Sequence, residues 1–488
     1  MPEAGAASAA TAASASPKST ERPNIVCVVL DSVRASNVST YGYAKPTTPA
    51  MDRLAAEGMT FEQATSVGCW TLPVHATLFT GRYPRAHGVT VSAHALGDTL
   101  PTLAETLTGL GYETACFSNN AYISGASGLT RGFQHVDDLW RITNPRGVGV
   151  PKLTSRIKAL EGRGPWLRPI VGILRRAKRA RMMFKAWRSR KDSGARYTNE
   201  RIRDWLLSRD RTRPYFAFVN YMEAHEPYLP PYPYNRRFLP GRYSPWRVLG
   251  VAGRRDEILA AEPRRRRVDL AILEGLYDGT ISYADEMLGQ LADILARDGG
   301  GLDRMALIVT SDHGDAFGEH GHLGHRLTLY EELLRVPLIV RLPDQARAGE
   351  RITAPVSIGD LHPTIFDLTG SAWAGLNDFV SLLDATPHER PVMAENTGPK
   401  SIGGLVSRSR REGSLKLIWR DDGRHELYDL EHDPKERANI FASDARGNDI
   451  LARLDAWADG QDDDAAQAGS ASYDDETMER LRGLGYVG

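Results

Sequence analysis

Cysteine is scarce in this chain. Among 488 residues there are three, Cys27, Cys69 and Cys116. An odd, sparse set implies no disulfide framework, and Cys27 and Cys116 lie in apolar runs where a thiol is a small core residue. Net charge is missing too: 61 Lys and Arg balance 61 Asp and Glu, so no global field argues for nucleic acid. No run approaches the roughly 18 apolar residues that span a bilayer. Residues 1–20 are rich in Ala and Ser and lack a basic stretch followed by an apolar one, which reads as a disordered tail and not a signal peptide. These absences lead to the expectation of a cytoplasmic protein.

What remains is a globular composition, 41% hydrophobic and 25% charged, long enough for one large core and a smaller appended unit. Short apolar runs alternate with helix-period segments, the pattern of an α/β fold with a doubly wound, mostly parallel, buried sheet. NIVCVVLD (24–31), YETACFSN (112–119), YFAFVN (215–220) and MALIVTSD (305–312) are the expected strands. Residues 100–111 and 281–300 read as amphipathic helices closed by glycine. After about residue 370 the texture changes. LKLIWRDDGRHELYDL (415–430) is two strand-like runs around Asp-Asp-Gly, a hairpin signal. The expected division is a catalytic domain over 21–370 and a C-terminal subdomain with a small antiparallel sheet over 371–488.

Ligands of open parallel sheets gather at the carboxyl ends of the strands. The first strand ends on Asp31, the fourth on Asp312 and His313, and the third runs into Asn220 and on to His225. Two aspartates and a histidine on one edge suit a divalent metal such as zinc or manganese. Each also has a plain reading, as a turn cap or a satisfied loop residue. In CWTLPVHATLFTG (69–81), Pro73 suits the first turn of a helix ended by Gly81, which sets Thr71 near the N-cap, where backbone N–H groups favour an anion. A metal-coordinated hydroxyl there can be deprotonated and attack phosphorus or sulfur, and an ordinary N-cap threonine fits the same pattern.

The segments RPNIVCVVLDSVRASNVSTYGY, TPAMDRLAAEGMTFEQATS, TLPVHATLFTGRYP, TSDHGDAFGEHGHLGHRLTLYEELLRVPLIV and HELYDLEHDPKERANI resemble, in order, the sulfatase branch of the alkaline phosphatase superfamily, over nearly the whole chain from Arg22. The resemblance implies a doubly wound α/β sheet with a smaller C-terminal sheet. Its nucleophile, a cysteine or serine converted to formylglycine, is followed by x-Pro-x-Arg and a helix ending in Thr-Gly-Arg. Counting back from Thr80-Gly81-Arg82 puts the nucleophile at Thr71 and His75 at the arginine position; Cys69 falls two residues too early.

Threonine cannot become formylglycine and must act through its own hydroxyl. A sulfothreonine has no easy elimination route, whereas phosphothreonine can be cleared by a second in-line displacement. The expected reaction is therefore on phosphoesters, a phosphodiester or phosphonate monoester, with transfer to an alcohol acceptor, sulfate-ester hydrolysis or a noncatalytic anion-binding scaffold as alternatives. Two departures from the family pattern accompany the threonine: Ser32 stands where a second aspartate is usual, and Ser118-Asn119-Asn120-Ala121 replaces Gly-Lys-Trp-His. The resemblance implies one divalent ion, manganese, zinc or calcium, held by Asp31, Thr71, Asp312 and His313. It also implies His75, His225 and His325 as catalytic groups and Asn119 and Arg326 as substrate contacts, with His320 and His322 as secondary candidates and His87 and His94 structural or at the surface. The expected substrate is a small or lipid-like anionic ester.

Residues 146–196 stand apart, with 16 Lys or Arg against Glu161 and Asp192. An amphipathic helix over 165–190 reads equally as a contact with an anionic membrane surface and as an insert packed on the domain.

Overall fold

The computed structural model describes residues 22–90, 94–142, 185, 187–253, 257–325, 328–371, 373, 375–384, 390–396, 406–463 and 466–483. The tail at 1–20, most of the basic stretch at 146–196 and Arg326 lie outside the described residues.

The sequence of the first strand dictates its place. In β1 (Asn24–Leu30), Ile25 to Leu30 are all buried, as a β-branched run must be if it is covered on both faces. It lies inside an eight-stranded sheet with β2 (Met59–Phe61), β3 (Glu113–Ser118), β4 (His135–Asp138), β5 (Tyr215–Tyr221), β6 (Met305–Thr310), β7 (Leu338–Arg341) and β8 (Arg351–Ile352). The spatial order is β8-β2-β7-β6-β1-β5-β3-β4. The run β6-β1-β5-β3-β4 is parallel throughout, while β7 is antiparallel to both its neighbours. Alternate residues of β1 feed two cores: Ile25, Cys27 and Val29 one, Val26, Val28 and Leu30 the other. That is the signature of a sheet with a layer on each face, and it is the expected doubly wound fold.

The helices differ in how well their sequences announce them. Helix α1 (Thr71–Thr80) is buried at all ten positions and ends at Gly81, whose φ of +68° makes the left-handed cap. Helix α2 (Leu103–Gly109) opens with a Thr102/Glu105 capping box. The expected helix at 281–300 is the second half of α3, which runs from Pro263 to Leu295. Its first half hides behind a run of arginines and two glycines. Pro263 opens the first turn, and the Glu262 carboxylate accepts the Arg264 and Arg265 N–H groups at 3.2 Å. The glycines admit a crossing chain: a Cβ on Gly279 would stand 2.5 Å from the Tyr234 carbonyl oxygen.

The C-terminal hairpin is one end of a separate antiparallel sheet of β9 (Val392–Asn396), β10 (Ser407–Glu412), β11 (Leu415–Arg420) and β12 (Glu426–Asp429), in that order. Several contacts tie it to the larger sheet's layer. The Glu395 N–H donates to the Val67 carbonyl at 2.9 Å. The buried Lys416 ammonium lies 2.8 Å from both Glu331 and Glu436. Among the described residues, no helix is long and apolar enough to cross a membrane.

Replacing Gly279 by alanine sets a helix-propensity gain of up to about 1 kcal/mol against a backbone clash. Overpacking of this kind costs about 1–3 kcal/mol, so Gly279→Ala should lower the urea midpoint. An unchanged or raised midpoint would show that the chain at Tyr234 yields freely.

Candidate active site

Four parallel strands deliver the site. Asp31 directly follows β1, Asp312 and His313 follow β6 by two and three residues, Asn119 and Asn120 follow β3, and His225 follows β5 by four. Because β1 pairs with both β5 and β6, these segments arrive at one edge. Asp31, Asp312 and His313 come together there: each offers a ligand atom within 4.8 Å of the others', and all three are buried.

Backbone and amide groups aim the carboxylates. Asp312 Oδ1 accepts the Ser32 N–H at 3.0 Å and the His313 N–H at 2.9 Å. Asp31 accepts the Ser32 hydroxyl at 3.0 Å on Oδ1 and the Asn120 amide at 2.9 Å on Oδ2. Ser32 does this from a φ of +64°, a conformation that a residue other than glycine holds only when its surroundings impose it. Among the described residues, no lysine or arginine forms an ion pair with either aspartate. Burial, aided by the neighbouring Asp312 charge, raises the Asp31 carboxyl to about 7, and burial raises Asp312 to about 7. A pair of buried carboxylates lacking a compensating cation, with an imidazole beside them, fits a divalent metal ion. His313 donates from Nδ1 to the Gly314 carbonyl at 3.0 Å, which leaves Nε2 as the lone-pair nitrogen, 3.4 Å from Asp312 Oδ2.

Thr71 is the first residue of α1, and its Oγ1 lies 3.5 Å from His313 Nε2. His75, one turn along, donates from Nδ1 to the Thr71 carbonyl at 2.9 Å and sits 3.9 Å from Asp312 Oδ2. Burial lowers its pKa to about 4, so it is neutral and braces the first turn of α1. The other two histidines extend the site. The rings of His313 and His325 are 4.4 Å apart and those of His325 and His225 5.0 Å. His225 Nδ1 donates to the Glu226 carbonyl at 2.7 Å.

Sequence reasoning overlooked three partners. His325 Nδ1 meets Asp315 Oδ1 at 2.8 Å, and the Tyr228 hydroxyl donates to Asp315 Oδ2 at 2.6 Å. The pairing of Ala316–Phe317 with Leu323–Gly324 folds the chain back and so brings positions 315 and 325 side by side. Asn120 is the third, through its bond to Asp31. Its neighbour Asn119 donates to Thr198 Oγ1 at 2.7 Å and to the Asn220 carbonyl at 3.3 Å. The secondary candidate His320 lies apart, on Glu332 at 2.8 Å and stacked 3.6 Å from the Tyr330 ring. His87 is structural, buried against Thr77 Oγ1 and the Pro73 carbonyl, both at 3.2 Å.

This edge, with two carboxylates, an imidazole and a hydroxyl at a helix start, belongs to a class that the comparisons define. Residues 23–371 match the sulfatase family model, and the chain belongs to the sulfatase family. It is 26% identical over 455 residues to the uncharacterized sulfatase YidJ of Escherichia coli, covering 89% of this chain and 86% of that protein. It is 26% identical over 466 residues to the choline-sulfatase of Rhizobium meliloti, covering 90% and 86%. Its fold is similar to that of the phosphonate monoester hydrolase of Agrobacterium radiobacter, with a TM-score of 0.67 at 21% identity, covering 90% of this chain and 96% of that one.

Both aspartates have folded pKa values above the ordinary 3.8. Between about pH 4 and 7 the metal-free fold therefore holds protons that the unfolded chain has released, and its stability falls as pH rises through that window. A divalent cation should remove this fall and raise the unfolding free energy by about 2.7 kcal/mol at a hundredfold excess over Kd. Asp312→Asn should lose the metal response yet, metal-free at pH 8, unfold at higher urea than the parent. A retained metal response would rule Asp312 out as a ligand.

Proposed function

We propose that this sulfatase-family chain is a metal-dependent hydrolase of phosphoesters, with phosphodiesters or phosphonate monoesters as substrates and Thr71 as nucleophile. The observation that carries the reading is the Thr71 hydroxyl at the start of α1, beside His313 Nε2 and the buried aspartate pair. Asp31, Asp312, His313 and the Thr71 hydroxyl would hold the ion, with manganese, zinc or calcium as candidates. A cation there supplies Lewis-acid polarisation and lowers the pKa of an adjacent hydroxyl.

The protein's own groups divide the remaining work. The start of α1, the positive end of the helix dipole, favours a tetrahedral anion in front of Thr71. The Thr71 hydroxyl gives its proton to water and its oxygen forms a bond to phosphorus as the P–O bond to the leaving group breaks. The departing oxygen takes a proton from His325 or His225, and Asp315 with Tyr228 fixes the orientation of His325. Water then attacks phosphorus, its proton returns to the imidazole, and the Thr71 oxygen leaves and regains a proton from water as the restored hydroxyl. Passage of the group to an alcohol in place of water uses the same residues.

A second reading, sulfate-ester hydrolysis, is favoured by relatives such as the choline-sulfatase and the N-acetylglucosamine-6-O-sulfatase of Bacteroides thetaiotaomicron, the latter 24% identical over 522 residues. The threonine separates the two. A serine or cysteine position would permit formylglycine, whereas threonine requires direct displacement at the central atom, which phosphorus tolerates better than sulfur.

Thr71→Ala should reduce turnover by several orders of magnitude, Thr71→Ser should retain a measurable part, and Cys69→Ala should stay near the parent rate. Steady-state kinetics decide this, and an inactive Cys69→Ala beside an active Thr71→Ala would reverse the assignment.

On matched chromogenic esters, phosphorus substrates should exceed sulfate monoesters at least about a hundredfold in kcat/KM, about 2.7 kcal/mol at the transition state. Equal rates, abolished together by Thr71→Ala, would move the chain to the sulfate-ester reading.

A further inference from the structure

Strand β5 divides its side chains between the two cores. Tyr215, Ala217, Val219 and Tyr221 pack on one face, Phe216 and Phe218 on the other. By the two-residue period, Asn220 continues the Phe216–Phe218 row. On α1, the four-residue spacing of Thr71, His75 and Phe79 puts them on one face of the helix. The two rows run together: the Phe79 and His75 rings lie 4.8 and 5.7 Å from that of Phe218. From His75, one turn of about 6 Å leads to Thr71; from Phe218, one two-residue repeat of about 6.6 Å leads to Asn220. Both steps head for the carboxyl edge of the sheet, which sets Asn220 against the nucleophile end of α1.

At that place the chain spends a polar group without satisfying it. Asn220 is fully buried, and among the described residues neither its Nδ2 nor its Oδ1 has a hydrogen-bond partner. His75 Nε2, on the facing helix row, has none either. The Asn220 backbone is well anchored, in register with Val29 and Ser118 and accepting from Asn119 at 3.3 Å. A buried amide left unpaired lowers stability relative to an apolar residue of the same shape. A rigid strand that presents such an amide beside a nucleophile has the form of a preorganised donor for a negatively charged oxygen.

We propose that Asn220 is a substrate-contact residue whose Nδ2 donates to a non-bridging oxygen of the tetrahedral group under attack by Thr71. The role rests on the phosphoester reading only for the identity of the central atom, since a sulfuryl oxygen would meet the same amide. No bond to Asn220 forms or breaks; its contact strengthens as charge gathers on the oxygen, so it acts mainly on kcat.

The test uses the full-length, metal-loaded protein with Asn220→Leu, close in size and without polar atoms, and Asn220→Asp, which sets an anion in the same place. Both should lower kcat/KM by about a hundredfold or more, most of it in kcat, with metal content unchanged. Inhibition by inorganic phosphate should weaken at least about tenfold, more for the aspartate. The urea midpoint of Asn220→Leu should equal or exceed the parent's. A lower midpoint for Asn220→Leu, with or without loss of turnover, overturns the proposal, because it marks an amide satisfied by a structural water. Phosphate inhibition and kcat both at parent values overturn it as well. If the parent prefers sulfate esters, the phosphoester reading fails, while the opposition of stability and turnover in Asn220→Leu, measured on the sulfate ester, still decides the role of this residue.

Discussion

Two carboxylates that would repel each other are held in place where water cannot screen them. Asp31 and Asp312 end adjacent strands of a parallel sheet, and the strand pairing leaves them no room to part. Everything around them answers that constraint. Ser32 adopts a left-handed backbone so that its N–H and hydroxyl can serve one aspartate each. Asn120 turns its amide to Asp31, and the His313 ring is locked by Gly314 so that its lone pair joins them. Neutral dipoles orient these charges without cancelling them, so the apoprotein carries a field that a divalent ion would discharge.

Thr71, the proposed nucleophile, is positioned by a different means, packing. Helix α1 is wholly buried, and its His75 and Phe79 rings pack on Phe218 of β5. The neutral His75 converts that packing into a bond to the Thr71 carbonyl. Charge thus fixes the proposed metal ligands and hydrophobic contact fixes the proposed attacking group. The two systems meet where Thr71 approaches His313.

Much of this was legible in the amino-acid sequence. Unbroken apolar runs such as NIVCVVLD announce buried strands, and the aspartates that close two of them, Asp31 and Asp312, mark the edge of the candidate site. The Pro73-to-Gly81 spacing set the limits of α1. Legibility failed where a side chain's direction depends on one residue of register: Asn119 and Asn120 are chemically identical, and only the backbone decides which amide meets Asp31. The Asp315–His325 pair was hidden because ten residues separate its members until a small hairpin closes. The first half of α3 was masked by arginines and by glycines that serve a crossing chain and not the helix itself. Asn220 looked like the polar end of a strand, and only the packed fold shows its side chain without a partner among the described residues.

The ammonium of Lys416 on the small sheet is clamped between Glu331, which follows the loop that carries His325, and Glu436, beyond the strands. An ion cluster removed from water tolerates the loss of no single member. The two sheets therefore behave as one inheritance. A chimera that joins the large sheet of this chain to the small sheet of a relative would have to carry positions 331, 416 and 436 across together, or leave a bare charge under the loop that positions the site.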